Sequence, residues 1–75
     1  MFERLMFARR LRASRIATGY YEDGDFAEDL GVDPEIYRQV EDGTRDPGLD
    51  LVVFAAKLTD RSTDFLLTGR SPSRE

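Results

Sequence analysis

The sequence predicts a compact all-α domain of five short helices, with the second and third forming a helix-turn-helix. Three observations lead there. The first is the stretch from Phe26 to Glu41, where Ala27, Gly31, Tyr37 and Val40 fall at telling intervals. Ala27 is small where a second helix must come close. Gly31 lacks a Cβ where a turn needs positive φ, and Tyr37 and Val40, three apart, share one helix face. The second is the punctuation: Asp33-Pro34 and Ser62 are helix starts, and Gly19 and Gly69 are helix stops. The third is size, since 75 residues suffice for one small domain.

The first helix is expected from Phe2 to Ala17, with Phe7, Leu11 and Ser14 at helical spacing and Gly19 in the left-handed position after it. Tyr20-Tyr21-Glu22 is a connection in which the tyrosines pack or turn. Asp23-Gly24-Asp25 is expected to cap the second helix, which ends at Leu30. The third begins at Pro34: Asp33 accepts bonds from orphan amides, Pro suits the first helical position, and Glu35 suits the dipole. Gly43-Thr44-Arg45-Asp46-Pro47-Gly48 reads as a loop. A fourth helix covers Leu49 to Leu58, with Leu51, Val52, Phe54, Ala55 and Leu58 at core spacing. Ser62 caps a fifth over Thr63 to Thr68, where Phe65, Leu66 and Leu67 are expected in the core. The domain is thus read as residues 1–69, followed by a polar tail, 70–75.

Composition narrows the function classes. There is no cysteine, which excludes disulfides and thiolate metal sites, and no histidine, which removes the commonest general base and metal ligand. No apolar run approaches membrane-spanning length, and Arg9 and Arg10 break the pattern a secretory signal would need. The expectation is a cytoplasmic, nucleoid-associated protein with no cofactor, no metal and no membrane partner. Catalysis has no support in the spacing of the acids. Asp23-Gly24-Asp25 is too short for a calcium loop, and no phosphate-cradling glycine loop occurs.

Charge is unevenly spread. Net charge is −4 overall, but residues 1–15 carry net +4 and residues 22–50 carry net −9. The plainer explanation is solvation of helix faces; the alternative is a surface for a partner. A chain this small is only marginally stable alone, so a homodimer is also expected, with Phe2, Leu5 and Met6 either packing under the domain or meeting a second copy.

Four pieces of sequence resemble the Cro- and phage-repressor-like helix-turn-helix family, also called the xenobiotic-response-element (XRE) family. They are Arg9-Arg10-Leu11-Arg12, Phe26 through Val32, Tyr37 through Pro47, and Ser62 through Gly69. The third is similar to the family's Ile-x-x-Ile/Tyr-Glu-x-Gly-x-Arg-x-Pro stretch and the last to its closing Leu-Leu-Thr-Gly. The resemblance spans about Phe7 to Gly69. The sequence departs from the family in three places: Asp25 stands as an insertion before the second helix, Tyr21-Glu22-Asp23 replaces the usual Ser-Gln-Glu, and Pro34 and Glu35 replace polar residues at the start of the third.

The resemblance implies a lambda-repressor-like arrangement and a small transcriptional regulator, most often a repressor, that binds a double-stranded DNA operator as a homodimer. It pairs Arg15 with Glu41, a link between the first and third helices whose plainer role is structural. It turns Glu35, Arg38 and Gln39 toward the major groove: Arg38 would bond guanine, Gln39 adenine and Glu35 cytosine N4. Thr44 and Arg45 would hold phosphate, with some of Arg9, Arg10 and Arg12, which one helix cannot aim in a single direction. The alternative from another class is a protein-interaction module that kept the fold and lost DNA binding because of its acidic middle. Its protein partner would be basic.

Overall fold

The computed structural model describes residues 2–70. The first helix, α1 (Arg4–Ala17), buries Phe7, Ala8, Leu11, Ser14 and Arg15, the single stripe that a period of 3.6 demands. It starts two residues later than Phe2. Glu3 occupies the cap position without a side-chain cap bond, and Phe2 instead lays its ring near Phe7, with centroids 5.7 Å apart. At the other end, Thr18 Oγ1 donates to the Ser14 carbonyl at 2.7 Å.

The second helix, α2 (Asp23–Leu30), starts after Glu22, which makes no side-chain cap bond. Asp23-Gly24-Asp25 therefore lie within the first turn rather than before it. There the carboxylates of Asp23 and Asp25 still favour the helix N-terminus through the dipole. The helix stops at Gly31 in the left-handed conformation, φ 77°. The Val32 amide then reaches back to the Ala27 carbonyl at 2.9 Å, the closing bond of a Schellman turn.

The third helix, α3 (Pro34–Glu41), starts as its sequence requires. Asp33 Oδ1 accepts from the amides of Glu35 at 2.8 Å and Ile36 at 3.3 Å. Tyr37 and Val40 are buried, whereas Ile36 is exposed. After α3 the chain turns at Gly43, φ +80°, where an added Cβ would come within 3.3 Å of Leu5 Cδ1 and 3.4 Å of Leu5 Cα. Glycine is thus needed there both for conformation and for the close approach of α1.

The fourth helix, α4 (Leu49–Thr59), runs one residue beyond Leu58 because Thr59 is buried and returns its hydroxyl to the Ala55 carbonyl at 2.7 Å. Its buried stripe is Leu51, Val52, Ala55, Ala56 and Thr59. Phe54 falls on the far side of that stripe and is 48% exposed, so its expected place in the core is corrected. The ammonium of Lys57 lies 5.9 Å from its ring centroid. The fifth helix, α5 (Thr63–Thr68), is capped by Ser62, whose Oγ accepts from the Phe65 amide at 3.0 Å, and it ends at Gly69. Only Leu66 of α5 is fully buried; Phe65 and Leu67 pack at the margin of the core.

The described chain is therefore all-helical and compact. The helix α1 packs on α3, α4 and α5, while α4 contacts α2 and α5. Phe7, Leu11, Phe26, Tyr37 and Leu66 meet at the centre. Of the expected polar tail, residues 71–75 lie outside the described residues.

Candidate nucleic-acid interface

The orientation of α3 is set from beneath. Arg15 projects from α1 into the core and grips Glu41, with Nε to Oε2 at 2.6 Å and Nη2 to Oε1 at 3.2 Å. Its Nη1 donates to the Tyr20 carbonyl at 2.6 Å, so one guanidinium ties α1, the α1–α2 connection and the end of α3. Tyr37, one turn before Glu41, donates its hydroxyl to the same carboxylate. Burial works against the charge on Arg15, but the hydrogen bond and attraction of Glu41 outweigh it and leave its pKa raised. Burial, then the bond to Glu41, also pushes the Tyr37 hydroxyl well above the ordinary tyrosine range. No buried side-chain nitrogen or oxygen among the described residues lacks a partner, which such a buried network requires.

With Tyr37 and Val40 inward, Glu35 and Arg38 lie on the exposed face of α3 and Gln39 is half-buried beside them. Their side chains are engaged within the molecule. Arg38 Nη1 donates to Glu35 Oε1 at 2.7 Å, an i,i+3 pair on one helix, and its Nε lies 3.7 Å from Asp23 Oδ2 at the start of α2. Gln39 is held at two points by the loop that follows α3. Its backbone carbonyl accepts from the Thr44 amide at 3.0 Å and from Thr44 Oγ1 at 3.1 Å. Its side-chain Oε1 accepts from Arg45 Nε at 2.8 Å. Hydrogen bonds thus form two groups along the outer side of α3, one of Glu35 with Arg38 and one of Gln39 with Thr44 and Arg45.

The arginines of α1 separate. Arg9 and Arg12 are exposed. Arg10 turns toward α5 instead, where its Nε donates to the Leu66 carbonyl at 2.9 Å and its Nη2 to the Leu67 carbonyl at 3.0 Å. It satisfies carbonyls at the end of α5 and docks that helix on α1. A cation suits this position, since a helix C-terminus is partly negative.

Several connections go beyond the sequence reading. The i,i+4 spacing of Tyr37 and Glu41 and the i,i+3 spacing of Glu35 and Arg38 were available as signals. The approach of Asp23 to Arg38 crosses between helices and leaves no local signature. No group of three or more acidic, histidine or cysteine side chains among the described residues is placed to hold a metal, and no described helix is long and apolar enough to cross a membrane.

Five helices, a glycine turn between α2 and α3, and a third helix locked at one end and open along its outer face define a helix-turn-helix domain. No protein-family model matches the chain. The sequence is similar to the uncharacterized HTH-type transcriptional regulator YazB of Bacillus subtilis (strain 168), with 36% identity over 61 residues, 81% of this chain and 87% of that protein. The chain belongs to the HTH-type transcriptional regulators.

Proposed function

We propose that this protein is a sequence-specific DNA-binding regulator with a lambda-repressor-like arrangement of the Cro/XRE type, acting as a repressor in the cytoplasm on nucleoid DNA. The observation that carries the reading is the outer face of α3, where the Glu35–Arg38 pair lies beside Gln39, itself bonded to the Thr44–Arg45 loop, while the Arg15–Glu41–Tyr37 network holds the helix from behind. Similarity to an HTH-type regulator supports it. Residues 1–69 form the binding domain, with 70–75 as its tail. Arg38 and Gln39 read base edges, and Glu35 positions Arg38 or accepts from cytosine. Some of Arg9, Arg10 and Arg12, with Thr44 and the Nη groups of Arg45, meet phosphates.

Binding is by a homodimer on a pseudo-palindromic operator, with the two α3 helices ~34 Å apart. An apolar groove lined by Phe2, Pro47, Leu49, Val52 and Leu67 supports association, since Leu49 is left 76% exposed. The phosphate contacts are few, so affinity is modest and falls with salt.

A specific observation favours a second reading. Arg38 is already paired with Glu35 and Asp23, within a segment of net −9. A module whose acidic face binds a basic protein would show the same pairing. Fluorescence anisotropy of the purified protein on its own upstream DNA and on a scrambled duplex, over a salt series, separates the two. Tight, salt-sensitive binding to the first alone is the expected result. No binding to either at low salt would reject DNA recognition in favour of the protein partner.

A further inference from the structure

We propose that Arg45 is a positioning residue that turns Gln39 into a reader of guanine rather than adenine. This inference rests on the DNA-binding reading above. A free glutamine amide offers one acceptor and one donor side by side, which matches the N7 acceptor and N6 donor of adenine. In this protein the acceptor is engaged: Arg45 Nε donates to Gln39 Oε1 at 2.8 Å. A guanidinium has donors only, so it can meet the amide only through its oxygen, and this decides which way the amide points.

The arrangement is built into the loop. Gly43 takes a positive φ of +80° and passes Leu5 without a Cβ. Thr44 is then pinned on the Gln39 carbonyl by both its amide and its hydroxyl, which brings Arg45 back over the Gln39 side chain. With one of the two lone pairs of Oε1 taken by Arg45, the Gln39 amide is left with both Nε2 hydrogens and a single acceptor site, beside a guanidinium that offers donors only. In the major groove, guanine presents two acceptors, N7 and O6, whereas adenine places a donor at N6. Such a donor-rich surface fits guanine better than adenine, whose N6 hydrogens meet donors unfavourably.

The test is selection of binding sites from a randomised duplex pool by the full chain, run for the wild type, Gln39→Ala, Arg45→Ala and Arg45→Lys. The base pair whose preference collapses in Gln39→Ala is the one Gln39 reads. The wild type is expected to favour guanine there. Arg45→Ala frees Oε1 and should move the preference toward adenine, changing the guanine-to-adenine ratio on the order of tenfold. Arg45→Lys keeps a donor and should retain part of the guanine preference. A plain phosphate contact behaves otherwise: its loss weakens all sequences alike and reduces the salt slope by about one. Selection that succeeds in the wild type but shows unchanged base preference in Arg45→Ala, or no guanine preference at the Gln39 position, overturns the inference while leaving DNA recognition intact. No enrichment by the wild type overturns both. Arg45 is exposed, so an unchanged thermal unfolding curve for each variant shows that the readout is not a folding defect.

Discussion

Glu41→Ala isolates the buried ion pair. The side chains of Arg15 and Glu41 are 5% and 9% exposed. Removing the carboxylate unpairs Arg15 Nε and Nη2 and the Tyr37 hydroxyl together, leaving Arg15 only the Tyr20 carbonyl. Stranding one partner of a buried pair costs about 3–5 kcal/mol. A chain of 75 residues has a total stability of roughly 4–11 kcal/mol, so the variant should lose a large share of it. Urea unfolding followed by circular dichroism measures the loss, with the midpoint falling and the slope unchanged. Glu41→Gln, which keeps an acceptor and loses the charge, should fall between wild type and alanine and stays measurable if the alanine variant does not fold. The double variant Arg15→Met/Glu41→Leu should lose less than the two single losses combined, since no charge is left behind. A loss below about 1 kcal/mol for Glu41→Ala, the range of an exposed pair, would refute the claim that this network sets the pose of α3.

Tyr37 makes stability depend on alkaline pH. Its pKa is raised in the fold, so its contribution is complete below the unfolded value of about 10 and is lost as pH rises above it. Above that point the unfolded state binds fewer protons, and stability should fall by up to about 1.4 kcal/mol per pH unit from this group; Tyr37→Phe should be less stable at neutral pH but show a shallower alkaline decline. Gly31→Ala meets no atom within 4 Å but keeps a positive φ of +77°, and should cost about 1–2 kcal/mol. Gly43→Ala adds the contact with Leu5 and should cost more, a ranking that thermal unfolding can reverse. Asp23→Asn removes one carboxylate from Arg38 and should tighten DNA binding in low-salt anisotropy, whereas Arg38→Ala should weaken it and relax sequence preference; equal loss on every sequence would count against base reading by Arg38.

Legibility followed the range of the interactions. The limits of α3 and α5 were open to sequence reading because Asp33-Pro34, Ser62 and Gly69 act on amides within their own turn. The start of α1 was not, since Phe2 belongs to no helix and packs on Phe7 instead. In α4, several faces satisfied an i,i+3/i+4 pattern, and the position of α2 and α5 selected the one that leaves Phe54 outside. At the candidate interface, the residue types on the outer face of α3 were readable once Tyr37 and Val40 were placed inward. Their engagement by neighbours was not.

By itself the sequence determined an all-helical chain, a glycine turn before α3, and a third helix with Glu35, Arg38 and Gln39 on one side. These follow from backbone φ, local capping and the 3.6-residue period, all properties of adjacent residues. Tertiary structure alone decided three of the arginine contacts. Arg10 closes the end of α5 across 56 residues of chain, Arg38 faces an acid on another helix, and Arg45 folds back onto Gln39. Periodicity gives the side of a helix from which a charge departs; its partner depends on where the other helices come to rest.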